Sequence, residues 1–323
     1  MKHIFITHSN ITSIVINETI EYLLNNGEKV IVITRRGMSW PIINNETIID
    51  LSPKTISSLF SFKAVKHIIT LSKCVNSIIN KEDFILYLPT SYDEMYYSFQ
   101  KSKFCKGYYY IEEGVLAYKG LNFVREDKNL IKRGLKHLFG IYPDFYYFDS
   151  RFNGTLSISE KAFKWNKSKK IINQPYSYFK RVCNNQKSYS HIIVFSYLSG
   201  DVSFYKSIID VIIQNNEGFQ TNIAFKFHPR SRFVEPNKMN GITDYILSSL
   251  PQAVFLESEY VLEKEILSET IIICVQEESS VLFYSLLNGN KCYLYNISTD
   301  GHINEIVFDS VSDYVSYNPS ISL

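Results

Sequence analysis

The hydrophobic positions in the first half of the chain alternate between two kinds of pattern. Short continuous apolar runs, typical of strands buried on both faces, are separated by stretches with apolar residues at helical spacing. The predicted strands are Lys2–Thr7, Lys29–Thr34, Phe84–Leu88 and Gly107–Ile111, and the predicted helices are Thr12–Leu24, Phe62–Ile79 and Asn129–Phe139. Strands that alternate with helices predict a mainly parallel sheet with both faces covered.

The same alternation begins again after a polar, Lys-, Asn- and Ser-rich stretch at Asn166–Ser190. The second set of predicted strands is His191–Phe195, Asn222–Phe227, Ala253–Leu256, Thr270–Val275 and Lys291–Tyr295, with helices at Val202–Gln214 and Ser280–Leu287. We therefore expect an α/β protein made of two Rossmann-like domains that face a cleft. The domain boundaries are placed at 1–170 and 188–323.

Charge, cysteine content and hydropathy limit the classes of partner and compartment. The 34 basic and 32 acidic side chains nearly balance, which argues against nucleic acid as the main partner. The five cysteines are scattered, so they define no zinc site and fit a reducing compartment. No signal-peptide pattern and no apolar run of membrane-spanning length is present. A cytoplasmic location is expected.

A cationic cluster follows the predicted strand Asn222–Phe227. Lys226, His228 and Arg230 lie within five residues, with Pro229 between the last two. In α/β proteins ligands bind at the carboxyl ends of strands, so this cluster predicts an anion pocket, foremost for phosphate. The alternative is a solvated basic turn. His8, which follows the first strand, is a weaker second candidate, for which a structural role is favoured.

A pair of glutamates followed by glycine ends another predicted strand. Gly114 permits a turn with positive φ, which leaves at least one carboxylate of Glu112 and Glu113 at the edge of the sheet. Adjacent like charges raise one another's pKa, which suits one of them to act as a general base. The sequence does not separate the two, and Glu112 is slightly favoured. The alternative is a loop with two solvated glutamates.

A serine pair lies between the strand Thr270–Val275 and the next helix. Ser279 and Ser280 suit the start of a helix, where free amides and hydroxyl groups bind anions. Helix capping alone is the alternative, and the two roles are compatible.

The sequence contains none of the dinucleotide-binding, P-loop, metalloprotease and hydrolase motifs, and no D-x-D pair for a divalent metal.

Taken together and in this order, the three segments resemble the motifs of the bacterial sialyltransferases. Those families share a D/E-D/E-G motif, an HP motif and a downstream S/T-rich motif. The chain looks closest to the capsule, O-antigen and lipooligosaccharide families, including the polysialyltransferases. The resemblance implies a GT-B fold, CMP-sialic acid as donor substrate in the C-terminal domain, and inversion at the anomeric carbon without metal or other cofactor.

The resemblance also implies a role for each matched residue. Glu112 or Glu113 deprotonates the acceptor hydroxyl, and His228 assists departure of the CMP phosphate. The implied substrate-binding residues are Gly114, Lys226, Pro229, Arg230, Glu257, Ser279 and Ser280. Among them, the two serines bind the phosphate, Lys226 touches the nucleotide, and Glu257 holds the ribose hydroxyls, with Glu259 as its rival.

The expected partners are CMP-sialic acid and a glycan acceptor that ends in galactose or sialic acid. Two alternative hypotheses stay open: a GT-B transferase that uses another nucleotide sugar, and a nucleotide- or glycan-binding protein without turnover.

The pattern of the segment Lys128–Lys136 predicts a basic amphipathic helix. This helix would either bind the inner membrane peripherally or pack on the N-terminal domain.

Overall fold

The fold is seen in a computed structural model, which describes most of the chain. The described residues are 1–7, 10–34, 47–50, 73–91, 93–119, 146–167, 169–173, 189–196, 198, 200–215, 222–228, 231–257, 262, 270–276, 280–297 and 302–318. Several sequence predictions lie outside them, namely those for His8, the helix Asn129–Phe139 with its basic segment Lys128–Lys136, Pro229, Arg230, Glu259 and Ser279.

The chain divides into two compact units. The first is Met1–Lys180 with Ser320–Leu323, and the second is Arg181–Pro319. Each unit contains one sheet, so the two are described in turn.

The sheet of the first unit has the strand order β3-β2-β1-β4-β5-β6-β7, and all its strands are parallel. The strands are β1 Lys2–Thr7, β2 Lys29–Thr34, β3 Thr47–Asp50, β4 Phe84–Leu88, β5 Cys105–Ile111, β6 Phe152–Ser157 and β7 Lys170–Ile172. The order reverses between β1 and β4, as it does at the ligand-binding switch point of Rossmann-like sheets.

Helices cover this sheet because its strands are apolar on both faces. Every residue of β1 is buried, including the apolar run Ile4–Ile6. The helices are α1 Asn10–Asn25 and α2 Glu94–Lys101, with a 3-10 helix at Gly114–Tyr118 and further helical residues at 73–79. The Asp93 side chain caps α2 by accepting a 2.9 Å hydrogen bond from the amide of Met95.

The second sheet has the order β10-β9-β8-β11-β12-β13. Its strands are β8 His191–Phe195, β9 Ile223–Phe227, β10 Val254–Phe255, β11 Ile271–Val275, β12 Cys292–Ile297 and β13 Ile303–Phe308. Its helices are α3 Val202–Asn215, α4 Ser231–Val234, α5 Pro236–Ser249, α6 Ser280–Leu287 and α7 Val311–Tyr317. The strands are parallel except β13, which pairs antiparallel with β12.

The predicted α/β class with two Rossmann-like sheets is confirmed. The last predicted strand, Lys291–Tyr295, corresponds to β12, and two elements that were not predicted, β13 and α7, follow it. The edge strand β13 was missed because its sequence mixes polar and apolar residues, and most of its residues are at least partly exposed. Among the described residues, no helix is both long and apolar enough to cross a membrane.

Candidate functional site

The Glu-Glu-Gly motif forms the turn that leaves β5. The strand ends at Ile111, and Gly114 has φ +62° where the 3-10 helix begins. A side chain at this φ would be strained, so glycine suits the position. The sharp turn keeps both glutamates at the carboxyl end of β5, the edge where α/β sheets bind ligands.

Glu112 is fully buried at 0% exposure. One carboxylate oxygen, Oε1, accepts a 2.8 Å hydrogen bond from the Tyr118 hydroxyl, and Oε2 accepts a 2.9 Å bond from the amide of Ile158. Its own amide donates to the carbonyl of Leu156 at 2.8 Å. Hydrogen bonds of this kind offset the cost of burying a charged group.

Glu113 has different surroundings, although it is the next residue. It is half-buried and occupies the position before the 3-10 helix, where its side chain makes no capping hydrogen bond. The phenol of Tyr146 is buried nearby, and its pKa is raised well above its ordinary value, first by burial and then by the negative charge of Glu113. The two glutamates, equivalent in the sequence, therefore differ in access to solvent.

The predicted residues of the second unit lie at the ends of parallel strands: His228 follows β9, Glu257 follows β10 and Ser280 follows β11. Phe195 of β8 is level with Phe227 of β9 and with Val275 of β11, so these strands end together. The half-buried His228 comes directly after β9, and its amide donates a 2.9 Å hydrogen bond to the carbonyl of Phe195. The sheet pairing thus extends to His228 and fixes its backbone at the carboxyl edge.

Lys226 is buried and its ammonium group has a defined partner. Its Nζ donates a 2.8 Å hydrogen bond to the backbone carbonyl of Glu257, two residues after β10. The Glu257 residue is exposed. Lys226 therefore joins the carboxyl ends of β9 and β10 and fixes the backbone that carries the Glu257 carboxylate.

The segment after β11 supplies a further polar group. Ser280 is the half-buried first residue of α6, and Gln276, directly after β11, has φ +73°. The Tyr205 hydroxyl contacts Oε1 of Gln276, and the Gln276 amide donates to the carbonyl of Tyr295 at 2.7 Å. Sequence reasoning missed Gln276, since a glutamine between a strand and a serine pair carries no motif.

The structure therefore brings the predicted residues to two edges. Glu112, Glu113 and Gly114 lie at the carboxyl edge of the first sheet, and Lys226, His228, Glu257 and Ser280 lie at or beside the carboxyl edge of the second. Within the described ranges, no group of three His, Cys, Asp or Glu residues is arranged to hold a metal ion. The candidate reactive groups are a carboxylate at the edge of the first sheet, and a histidine and a hydroxyl group at the edge of the second.

Comparison with known proteins shows the fold. No family model and no curated protein matches the chain. UDP-GlcNAc 2-epimerase from Neisseria meningitidis, bound to UDP-GlcNAc, has a TM-score of 0.52 at 12% identity, covering 98% of this chain and 90% of its own. MnaA of S. aureus, solved with UDP, has a TM-score of 0.51 at 10% identity, covering 98% and 87%.

A sialyltransferase from Photobacterium damselae, in the part corresponding to its GT-B domain, has a TM-score of 0.46 at 13% identity. That match covers 88% of this chain and 87% of the other. The two structures with TM-scores above 0.5, together with the parallel sheets, identify the fold as GT-B. Likeness at these identities does not distinguish one donor from another.

Proposed function

We propose that this protein is an inverting, metal-independent sialyltransferase. It moves sialic acid from CMP-sialic acid to a hydroxyl group of a glycan acceptor in the synthesis of bacterial surface polysaccharide. The observation that carries the proposal is the placement of the motifs. Glu112–Gly114 follow β5 of the first sheet, while His228 and Ser280 follow β9 and β11, the two parallel strands on either side of β8 in the second.

Glu113 is the proposed general base. A base must reach the acceptor hydroxyl, and the half-buried Glu113 can do so from the edge of the sheet. The carboxylate of Glu112 is buried and accepts hydrogen bonds on both oxygens. This assignment departs from the slight preference for Glu112 that the sequence suggested, and mutagenesis decides between them.

His228 and Ser280 are proposed to act on the leaving group. The acceptor oxygen bonds to the anomeric carbon as the bond from that carbon to the phosphate oxygen breaks. Glu113 takes the acceptor proton, and His228 donates a proton to the departing phosphate of CMP. Fixed donors at the place where negative charge develops stabilise the transition state, so this half of the reaction needs no metal.

Glu257 and Lys226 are proposed to serve the nucleotide together. The exposed Glu257 carboxylate accepts from the ribose hydroxyls, and Lys226 fixes the backbone beneath it through the 2.8 Å bond. In this role Lys226 acts on the nucleotide through Glu257 rather than by contact.

Nucleotide choice tests the proposal, because the alternative donor is a UDP-sugar, as in the similar structures solved with UDP or UDP-GlcNAc. The thermal stability of the protein is measured with CMP, UDP, GDP and ADP at equal concentrations. Ligand at about 100 times its Kd stabilises the fold by about 2.7 kcal/mol. We expect CMP to raise the Tm and this increase to be lost in Glu257→Ala. A larger increase in Tm with UDP would instead indicate a UDP-sugar as the donor.

A further inference from the structure

A group of hydrogen bonds surrounds the Glu112 carboxylate, and we call it the Glu112 clamp. It consists of Glu112, the Tyr118 hydroxyl and the Ile158 amide, at 2.8 Å and 2.9 Å. Tyr118 ends the 3-10 helix that begins at Gly114, and Ile158 directly follows β6. One carboxylate therefore connects the turn after β5 to the loop after the neighbouring strand.

Backbone bonds beside the clamp connect the same two segments. The amide of Phe163 donates to the carbonyl of Ala117 at 2.7 Å, and the amide of Glu112 donates to the carbonyl of Leu156 at 2.8 Å. Tyr118 is buried, and its pKa is raised by burial and by the charge of Glu112. The phenol is therefore a neutral hydrogen-bond donor to the carboxylate.

The position of Glu113 depends on this arrangement. Glu113 lies between Glu112, which is fixed by the clamp, and Gly114, whose φ of +62° turns the chain. The far end of that turn is fixed by Tyr118, so the segment that carries Glu113 is held at both ends. A reacting group displaced by about 1 Å can lose on the order of 100-fold in rate.

We propose that Tyr118 is a positioning residue that acts through Glu112 to hold Glu113 at the edge of the first sheet. This inference rests on the proposed sialyl transfer. In this role Tyr118 touches no reacting atom; its hydroxyl group holds the Glu112 carboxylate, which in turn fixes the turn.

Tyr118→Phe removes the hydroxyl group and keeps the ring. We expect kcat to fall by about 10- to 100-fold while the KM for CMP-sialic acid stays within about 2-fold, since the donor residues are untouched. Tyr108→Phe is the matched control, because Tyr108 is a buried tyrosine of β5 whose hydroxyl bonds to Tyr147 and Asp149. That variant should keep its kcat at a comparable loss of thermal stability.

A double-mutant cycle tests whether Tyr118 acts through Glu112. Glu112→Ala should lower kcat as Tyr118→Phe does, and the double variant should lose no more than Glu112→Ala alone. Glu112→Gln should retain most of the activity, since its amide oxygen can accept from Ile158 while its amino group donates to the Tyr118 hydroxyl. Multiplied losses in the double variant would overturn the coupling.

Hydrogen exchange gives a readout that does not depend on turnover. Tyr118→Phe should increase amide exchange in 112–119 and 157–163 together, and Tyr108→Phe should leave both segments as in the wild type. Unchanged exchange in Tyr118→Phe overturns the clamp, whatever the reaction. Increased exchange in Tyr118→Phe, combined with a wild-type protein that transfers no sialic acid, would leave the clamp intact and overturn the proposed function, and with it the positioning role in that reaction.

Discussion

The ammonium group of Lys226 donates a 2.8 Å hydrogen bond to the backbone carbonyl of Glu257. The contact joins the carboxyl ends of β9 and β10, two parallel neighbours in the second sheet. A lysine that the sequence suggests as a nucleotide contact is thus engaged with the protein backbone. Replacement of Lys226 should therefore lower stability, whereas replacement of the Glu257 side chain should not.

Replacement of Lys226 should affect both stability and nucleotide binding. Lys226→Met leaves a carbonyl without its charged donor, which we expect to cost about 1–3 kcal/mol of unfolding free energy. CMP affinity should fall about 10-fold, as Glu257 loses its fixed backbone. Glu257→Gln should weaken CMP binding similarly without a stability loss. Chemical unfolding and calorimetric titration measure the two quantities, and unchanged CMP affinity in Lys226→Met would refute the indirect role.

Replacement of His228 should affect turnover far more than binding. His228→Ala is expected to lower kcat by at least about 100-fold, the usual size of an acid–base contribution, while CMP affinity changes less. His302→Ala is the control, since His302 is an exposed histidine of the same unit. Steady-state kinetics with CMP-sialic acid measures the effect. Near-normal turnover in a folded His228→Ala protein would remove His228 from the mechanism.

The two adjacent glutamates should separate in mutagenesis. Glu113→Gln is expected to abolish transfer and leave CMP affinity nearly intact, because the amide cannot accept the acceptor proton. Glu112→Gln should keep most of the activity, since its role is to hold the turn. The opposite result, with Glu112→Gln inactive and Glu113→Gln active, would make Glu112 the base.

The stability of the second unit should depend on the protonation of His191. This residue begins β8 and is buried, and burial lowers its pKa below the ordinary 6.5. Below pH 6.5 the unfolded chain binds a proton that the folded state resists, so stability falls as the pH decreases through and below that value. His191→Gln should show a smaller loss of Tm between about pH 7.5 and 5.5. A dependence of Tm on pH that is the same in His191→Gln as in the wild type would contradict this role of His191.

Apolar runs with clear polar boundaries made much of the fold predictable. Lys2–Thr7, Lys29–Thr34 and His191–Phe195 are strands with the predicted bounds, because residues on both faces must be buried in a covered parallel sheet. β6, with the sequence FNGTLS, gave no such signal. A Cβ at its Gly154 would lie 2.0 Å from the carbonyl oxygen of Lys169, so close strand contact replaces the usual apolar pattern there.

The site was predictable only as far as local pattern determines it. Each motif follows a strand, so its place at a carboxyl edge could be derived from the alternation of elements. The distinction between Glu112 and Glu113 could not, because the burial of Glu112 depends on Ile158, 46 residues away in the sequence. The partner of Lys226 is likewise 31 residues away and follows a strand of only two residues.

The most direct test of the account is the transfer reaction itself. The full chain is incubated with CMP-sialic acid and a panel of galactose- and sialic-acid-terminated acceptors in excess EDTA, with Glu113→Gln and UDP-GlcNAc as parallel arms. Mass spectrometry should detect an acceptor heavier by one or more sialic acid residues, together with released CMP, in the wild type alone. Unchanged acceptors and donor, or turnover confined to UDP-GlcNAc, would contradict the assignment of this GT-B protein as a metal-independent sialyltransferase.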